Sequence, residues 1–287
     1  MNIVISMHIF PTEFFEYERT LTILAKNLNY ITGNINLYVT LNCSDSSINW
    51  STSSKTKNFV INKFKELNKR FSKIKVELLI KEGSSEFGVN HHRRITYQKF
   101  QIVDYIIFLD SDLVFSETIL KSTLDTMRNV QKNNWNIIVP QTPRLWDTTW
   151  DCNVNDYFKK DELNSYKHTD IEGIFKKFHD KPKSFFKSDI HKFAGGWFTA
   201  YSPKLLNYIG IPDSFGSYGP DDTYIMNCMN ILRNKNFNVS QYVINNEIVV
   251  EQPNKNNWVN FKTSPVHLRK NANNNFFYEL REFSKKL

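Results

Sequence analysis

The stretch Ile106-Ile107-Phe108-Leu109-Asp110-Ser111-Asp112 runs large apolar residues directly into two carboxylates separated by one residue. If the apolar run is a buried strand, alternation sends Asp110 and Asp112 the same way at its carboxyl end. Two like charges held together there are costly unless a cation bridges them. Oxygen-only donors suit a hard divalent ion, Mg²⁺ or Mn²⁺, shared with a diphosphate. The competing reading is a helix N-cap, with Ser111 or Asp112 capping a helix that begins near Ser116.

A second acidic pair closes Tyr218-Gly219-Pro220-Asp221-Asp222, just before a helical pattern over Asp221–Leu232. A carboxylate placed by such a turn suits the general base for a hydroxyl proton, and repulsion between neighbours raises one pKa towards a useful value. Two acids in a first helical turn also simply complement the helix dipole. Gly195-Gly196-Trp197 opens a strand-like stretch. Paired glycines permit close backbone approach to a ligand, and an indole face suits the apolar side of a sugar ring. A tight bend with a core Trp is the alternative, and core is also the plain reading of Trp146 and Trp150. His91, His92, His168, His179 and His191 lack zinc-site spacing and read as surface or core residues. No Gly-x-x-x-x-Gly-Lys-Ser/Thr and no Gly-x-Gly-x-x-Gly occurs, which argues against a P-loop or a Rossmann dinucleotide site.

These groups need a scaffold, and the pattern supplies one. Ile3–Ile9, Ile35–Leu41, Val76–Ile80 and Tyr105–Leu109 read as strands. Between them come a helix with Phe14, Tyr17, Leu21, Leu24 and Leu28, a helical stripe through Val60, Phe64, Leu67, Phe71 and Ile74, and a helix over Val89–Gln101. Strands alternating with helices predict a mostly parallel sheet with right-handed crossovers. Ligands of such sheets bind at the carboxyl ends of the strands, so the residues after Ile9, Leu41 and Leu109 converge on one crevice. After Trp135 the pattern changes. Ile137–Pro140, Phe193–Tyr201 and Tyr242–Val250 have strand character, Ser202-Pro203 opens a helix, and residues 144–192 predict short helices and loops. Phe276, Leu280, Phe283 and Leu287 share one face of a terminal helix, which docks on the body or, through its basic flanks, on an anionic membrane.

A chain of 287 residues can bury a full core, and 23 Phe with 13 Tyr exclude intrinsic disorder. A formal net charge of +8 favours anionic partners, but no block of six like charges marks a nucleic-acid arm. Cys43, Cys152 and Cys228 form no Cys-x-x-Cys pair and no disulfide framework, which fits a reducing compartment. The N-terminus reads as a first strand rather than a signal peptide, and no apolar run spans a membrane. The expected location is cytoplasmic, with peripheral contact at a membrane surface.

Taken together, these motifs resemble the nucleotide-sugar-dependent glycosyltransferases of the GT-A fold, whose metal-binding Asp-x-Asp follows a strand of this kind. Further parts occur in the same order, from about Asn2 to His267. Asn42-Cys43-Ser44-Asp45 ends the second strand, where many relatives hold an Asp against the nucleobase. Arg94 matches by position and charge an Arg that contacts the donor in many bacterial relatives. Gly219-Pro220-Asp221-Asp222 is similar to a Gly-x-Glu-Asp segment that carries acceptor-side carboxylates. Val266-His267-Leu268 is similar to a late His that completes a metal shell.

The resemblance implies a GT-A-like, Rossmann-related α/β fold: one domain over 1–287, with a nucleotide-sugar half (1–135) and an acceptor half (136–287). It implies a Mn²⁺- or Mg²⁺-dependent transfer from a UDP- or GDP-linked sugar to a hydroxyl of a glycan or glycoconjugate, with inversion. Asp222 is then the base and Asp221 holds acceptor hydroxyls. Asp110, Asp112 and His267 take the metal. Asp45, Arg94, Asp110, Ser111 and Arg269 bind the donor, and Gly195, Gly196 and Trp197 face the acceptor. His267 lies in a polar segment, Asn260–Asn275, expected to close as a lid over metal and donor. The rivals are a sugar-phosphate nucleotidyltransferase, whose usual Gly-rich N-terminal loop is missing from Ser6–Pro11, and a catalytically inactive carbohydrate-binding relative.

Overall fold

The computed structural model describes residues 1–9, 14–31, 34–42, 74–81, 88–130, 135–144, 147–159, 171–252 and 265–287, with scattered helical positions between 58 and 69. Side chains at 265–271 lie outside the described part.

Nine strands form one sheet among these residues. From the first half come β1 (Asn2–Ile9), β2 (Asn34–Asn42), β3 (Ile74–Lys81), β4 (Tyr105–Leu109) and the short β5 (Leu113–Phe115). The second half adds β6 (Trp135–Gln141), β7 (Ser184–Ser188), β8 (Phe198–Tyr201) and the long β9 (Val239–Glu251). The order is β3-β2-β1-β4-β8-β6-β9-β5, with β7 also pairing β9. Pairs β3-β2, β2-β1, β1-β4 and β6-β9 are parallel, while β8 runs antiparallel to both β4 and β6. Antiparallel β5 and β7 both pair with β9. The sheet is therefore continuous across both halves of the chain, and β8 marks the reversal of direction next to β4.

Period-two alternation divides the strands between two cores. Ile3, Ile5, Met7 and Ile9 of β1 pack with Leu21, Leu24 and Leu28 of α1 (Phe14–Leu28) and with Ile119, Leu120, Leu124 and Met127 of α3 (Ile119–Asn129). Val4, Ile106 and Phe108 face the other way, onto α2 (Val89–Lys99), α5 (Pro203–Ile209), α6 (Asp221–Asn234) and α7 (Pro265–Lys285). A sheet covered on both faces explains why β4 reads as an unbroken apolar run and why Ile3–Ile9 of β1 is broken only by Ser6 and His8. A smaller third cluster joins α4 (Ile171–His179) to β9 through Ile174, Phe178, Ile248 and Val250.

Local departures from the sequence reading have identifiable causes. After Asp112 the chain forms β5 and not a helix cap, because Leu113, Val114 and Phe115 are all buried and pair with β9. Helix α3 begins later, with Thr118 at its N-cap. β3 begins at Ile74, the last residue of the expected helical stripe. The terminal helix begins at Pro265, well before the expected Phe276, so the segment expected as a lid is helical from that residue on. Pro suits the first helical turn, and Ala272 extends the apolar stripe one turn upstream of Phe276. Phe283 is buried and Phe276, Leu280 and Leu287 pack on the core, so this helix docks on the body, leaving Phe277 and Tyr278 exposed.

Candidate active site

Asp110 is the first residue past β4, and its N–H donates to the Trp197 carbonyl (2.9 Å), just before β8. The turn that follows is held from two sides. The Thr20 hydroxyl of α1 lies 2.7 Å from both the Ser111 and the Leu113 carbonyls. Gln252, at the end of β9, donates its N–H to the Asp112 carbonyl (2.9 Å). The Asp-Ser-Asp turn is thus held through its backbone carbonyls.

Helix α2 brings the loop of residues 211–219 to this turn. Tyr97 accepts from the Ile211 N–H (3.1 Å). Arg94 donates to the Pro212 and Gly216 carbonyls (2.9 Å each) and pairs with Asp213 at 3.1 Å. The Asn90 N–H donates to the Ser217 carbonyl (3.0 Å). Gly88 and Gly219 permit the contact: a Cβ on Gly88 would lie 2.4 Å from the Ser217 carbonyl oxygen, and one on Gly219 would lie 2.8 Å from Ala272 Cβ of α7. The loop then enters α6, whose N-cap, Pro220, offers no side-chain bond.

Arg93 joins the two acidic motifs. Its Nη1 donates to Asp221 Oδ2 at 2.7 Å and its Nη2 to Asp110 Oδ1 at 2.8 Å. The guanidinium also stands 5.2 Å from the centre of the Phe108 ring. A second cation sits nearby: Arg144 pairs with Glu251 at 3.2 Å and lies 5.9 Å from the centre of the Trp197 ring. Gly195 and Gly196 have φ of 159° and 103°, and the second lies where L side chains are strained. They set Trp197 beside Asp110.

The electrostatics follow from crowding. Burial pushes Asp110 up to about 6; Arg93 pulls it back, and Asp221, Glu251 and Asp222 push it further. Asp222 is raised by burial and then by Asp221, although its Oδ1 accepts from the Thr223 N–H at 2.6 Å. Glu251 is raised by burial, with Arg144 opposing. Burial disfavours charge on Arg93, but Asp221 and Asp110 more than offset it and its pKa rises. Four carboxylates thus share two guanidinium groups, and three of the four are pushed towards their neutral forms. That surplus of hard oxygen donors fits a divalent cation. Among the described residues no three His, Cys, Asp or Glu side chains gather into a metal shell, so water and a ligand's own oxygens would complete the coordination.

The sequence-predicted residues therefore divide. Asp110 meets Asp221 through Arg93, feels the charge of Asp222, and bonds the Trp197 carbonyl after Gly195-Gly196, while Ser111 and Asp112 follow in the turn tied to Thr20 and Gln252. Arg94 stands apart, holding the loop, and Arg93 takes the place next to the carboxylates. Asp45 and the side chains of His267 and Arg269 lie outside the described residues. His92 is a core residue, with Ser6 and Thr40 hydroxyls each 2.6 Å from its ring nitrogens. His179 and His191 are exposed, and Trp150 is buried against Phe193. Arg93, Arg144 and Glu251 were missed. Glu251 carried the same signal as Asp110, an apolar run (Ile248–Val250) ending in an acid. A cavity of about 1320 Å³ lies elsewhere, between α1, α3, α4 and the β7–β9 edge, and none of the four Asp residues lines it.

No family model matches the chain, and no curated protein matches it in sequence. Solved structures do match in fold. S. aureus TarS is similar over 99% of this chain and 39% of its own, with a TM-score of 0.55 at 13% identity. TarS 1–349 in complex with UDP-GlcNAc gives a TM-score of 0.51 at 12% identity, over 89% of this chain and 60% of that one. GalNAc-T7 with UDP, GalNAc and Mn²⁺ gives 0.51 at 13% identity, over 88% and 43%. The chain spans less than two thirds of the length of each of these proteins. The fold is GT-A-like, and no helix among the described residues is long and apolar enough to cross a membrane.

Proposed function

Proceeding from a GT-A-like fold, we propose that this chain is a metal-dependent glycosyltransferase that moves a sugar from a nucleotide diphosphate to an acceptor hydroxyl. One observation carries the reading: the acids that end β4 and the acids that open α6 meet through a single buried guanidinium. Two acidic sites with different neighbours suit two tasks. Asp110 and Asp112 would hold Mn²⁺ or Mg²⁺, which when bound neutralises charge building on a departing diphosphate. Asp222 would take the acceptor's proton. Its raised pKa brings it nearer working pH, whereas Asp221 already accepts from Arg93. Transfer by one direct displacement inverts the anomeric centre. Trp197 and the paired glycines would line the acceptor side.

The nucleotides bound to TarS and to GalNAc-T7 support a UDP-linked donor and keep GDP as the second choice. Asp45 and Arg269 stay assigned to the donor and His267 to the metal, on the family resemblance. The excess of basic residues suits anionic donors and acceptor surfaces.

The test is a thermal-shift panel of UDP- and GDP-sugars with and without Mn²⁺, followed by release of nucleotide. A ligand at 100 times its dissociation constant should add about 2.7 kcal/mol to stability. Metal-dependent stabilisation by one nucleotide sugar, with turnover, is the expected result. Turnover of a nucleoside triphosphate with a sugar phosphate would point to nucleotidyl transfer, and binding without any turnover to a carbohydrate-binding protein.

A further inference from the structure

We propose that Arg93 is a positioning residue for the acceptor side: it ties Asp221 at the start of α6 to Asp110 at the end of β4, and so sets the neighbouring Asp222 against the donor. The proposal rests on reading this crevice as a sugar-transfer site. Three observations carry it. First, one guanidinium makes both bonds, at 2.7 and 2.8 Å, from two different nitrogens. A planar fork can span two carboxylates in fixed directions, which the single ammonium of a Lys cannot. Second, the bridge is buried: the Arg93 and Asp221 residues are only 8% and 4% exposed, with Phe108 under the guanidinium. Removing the cation leaves buried Asp221 without its partner and facing the charge of the half-buried Asp110. Third, Arg93 supplies the ion-paired tie to β4 for α6, whose first turn is otherwise packed by the Tyr224 ring on Phe215 and Phe276. Its N-cap is Pro220, and the Asp222 carboxylate bonds back to Thr223. The other α2 contacts, through Tyr97, Arg94 and Asn90, hold the loop upstream of Gly219 and reach neither acid.

Arg93 therefore acts through Asp221 and not on the transferred sugar. It also competes with a metal for Asp110, so its loss should have opposite effects on the two sides. Metal alone should bind as tightly or more tightly, while transfer fails.

The test uses Arg93→Lys, which keeps the charge, and Arg93→Gln, both in the full chain. In both, hydrogen exchange over residues 213–224 should rise while that of β1 and β4 stays unchanged. Turnover should fall about 10²-fold, the scale of a displacement near 1 Å, with the donor KM within about threefold of wild type. The double variant Arg93→Gln with Asp221→Asn should be no slower than Asp221→Asn alone. Mn²⁺ titrated alone by electron paramagnetic resonance should bind Arg93→Gln at least as tightly as wild type. Unchanged exchange over 213–224, wild-type turnover in Arg93→Lys, multiplying losses in the double variant or weaker Mn²⁺ binding would each overturn the role. Wild-type protein that turns over no nucleotide sugar with Mn²⁺ would instead overturn the sugar-transfer reading beneath it. A variant that fails to fold is answered by Arg93→Lys, whose exchange is read on folded protein.

Discussion

Asp222 and Asp112 should fail in different ways. Asp222→Asn keeps the side-chain shape and an oxygen for the Thr223 N–H, and removes only the proton acceptor. Turnover should fall about 10²–10⁴-fold while donor affinity, read by calorimetry, stays within a few-fold. A loss smaller than tenfold would move the base elsewhere. The same residue sets an acid limb. Burial and the Asp221 charge raise its pKa, so its proton-accepting form is lost at higher pH than for an ordinary Asp. The logarithm of kcat should therefore begin to fall above the usual 3.8, and Asp221→Asn should move that limb to lower pH by removing one repelling charge. Asp112 enters through metal instead. Because the turn is held by Thr20 and by the Gln252 N–H, Asp112→Asn should fold normally. It should lose the Mn²⁺-dependent part of nucleotide affinity, and equal affinity with and without the variant would count against the metal assignment.

At the scale of elements, α2 is a template for the loop that ends in the acidic pair. Tyr97, Arg94 and Asn90 bond that loop in turn, and close packing at Gly88 and Gly219 seals it. Gly219→Ala tests the seal. The new Cβ would meet Ala272 at 2.8 Å and the Asn90 amide nitrogen at 3.3 Å. Overpacking of this kind should cost about 1–3 kcal/mol in urea unfolding, and turnover should fall with it. Ala272→Gly removes the nearer clash, so the double variant should regain part of the lost turnover despite a helix penalty of about 1 kcal/mol. Two losses that simply add would mean that α7 does not press on this loop. The spacing of the sequence made α2 itself legible. It did not say which of two adjacent arginines meets the acids, because Arg93 and Arg94 both lie on the buried side of one turn.

The whole molecule joins its halves where β8 lies against β4, and α7 closes the far side of the acidic loop. Ser214 donates to Glu279 at 2.5 Å, Asn275 donates to the Ser214 carbonyl at 3.1 Å, and Phe276 stacks on Phe215. A chain ending before Pro265 should uncover Phe215 and Tyr224 and lose at least about 3 kcal/mol, the scale of deleting one large core side chain. A melting temperature unchanged by that truncation would show that α7 adds nothing to the fold.

The sequence by itself determined what is local. Apolar runs of the right length gave β1 and β4, and a run meeting two acids located Asp110 and Asp112. A Gly-Pro turn before a helical period located Asp221 and Asp222. Periodicity and turn chemistry act over a few residues, so they survive without knowledge of the rest. Only the tertiary structure decided what depends on distant pairing. It set β8 between β4 and β6, made residues 113–115 a strand through their bonds to β9, and delivered the Trp197 carbonyl to Asp110. It also chose Arg93 over Arg94 and added Glu251 with Arg144 to the charge balance. Those choices are made by hydrogen bonds and charges between residues far apart in the chain, and no local spacing encodes which of several chemically equal groups will arrive.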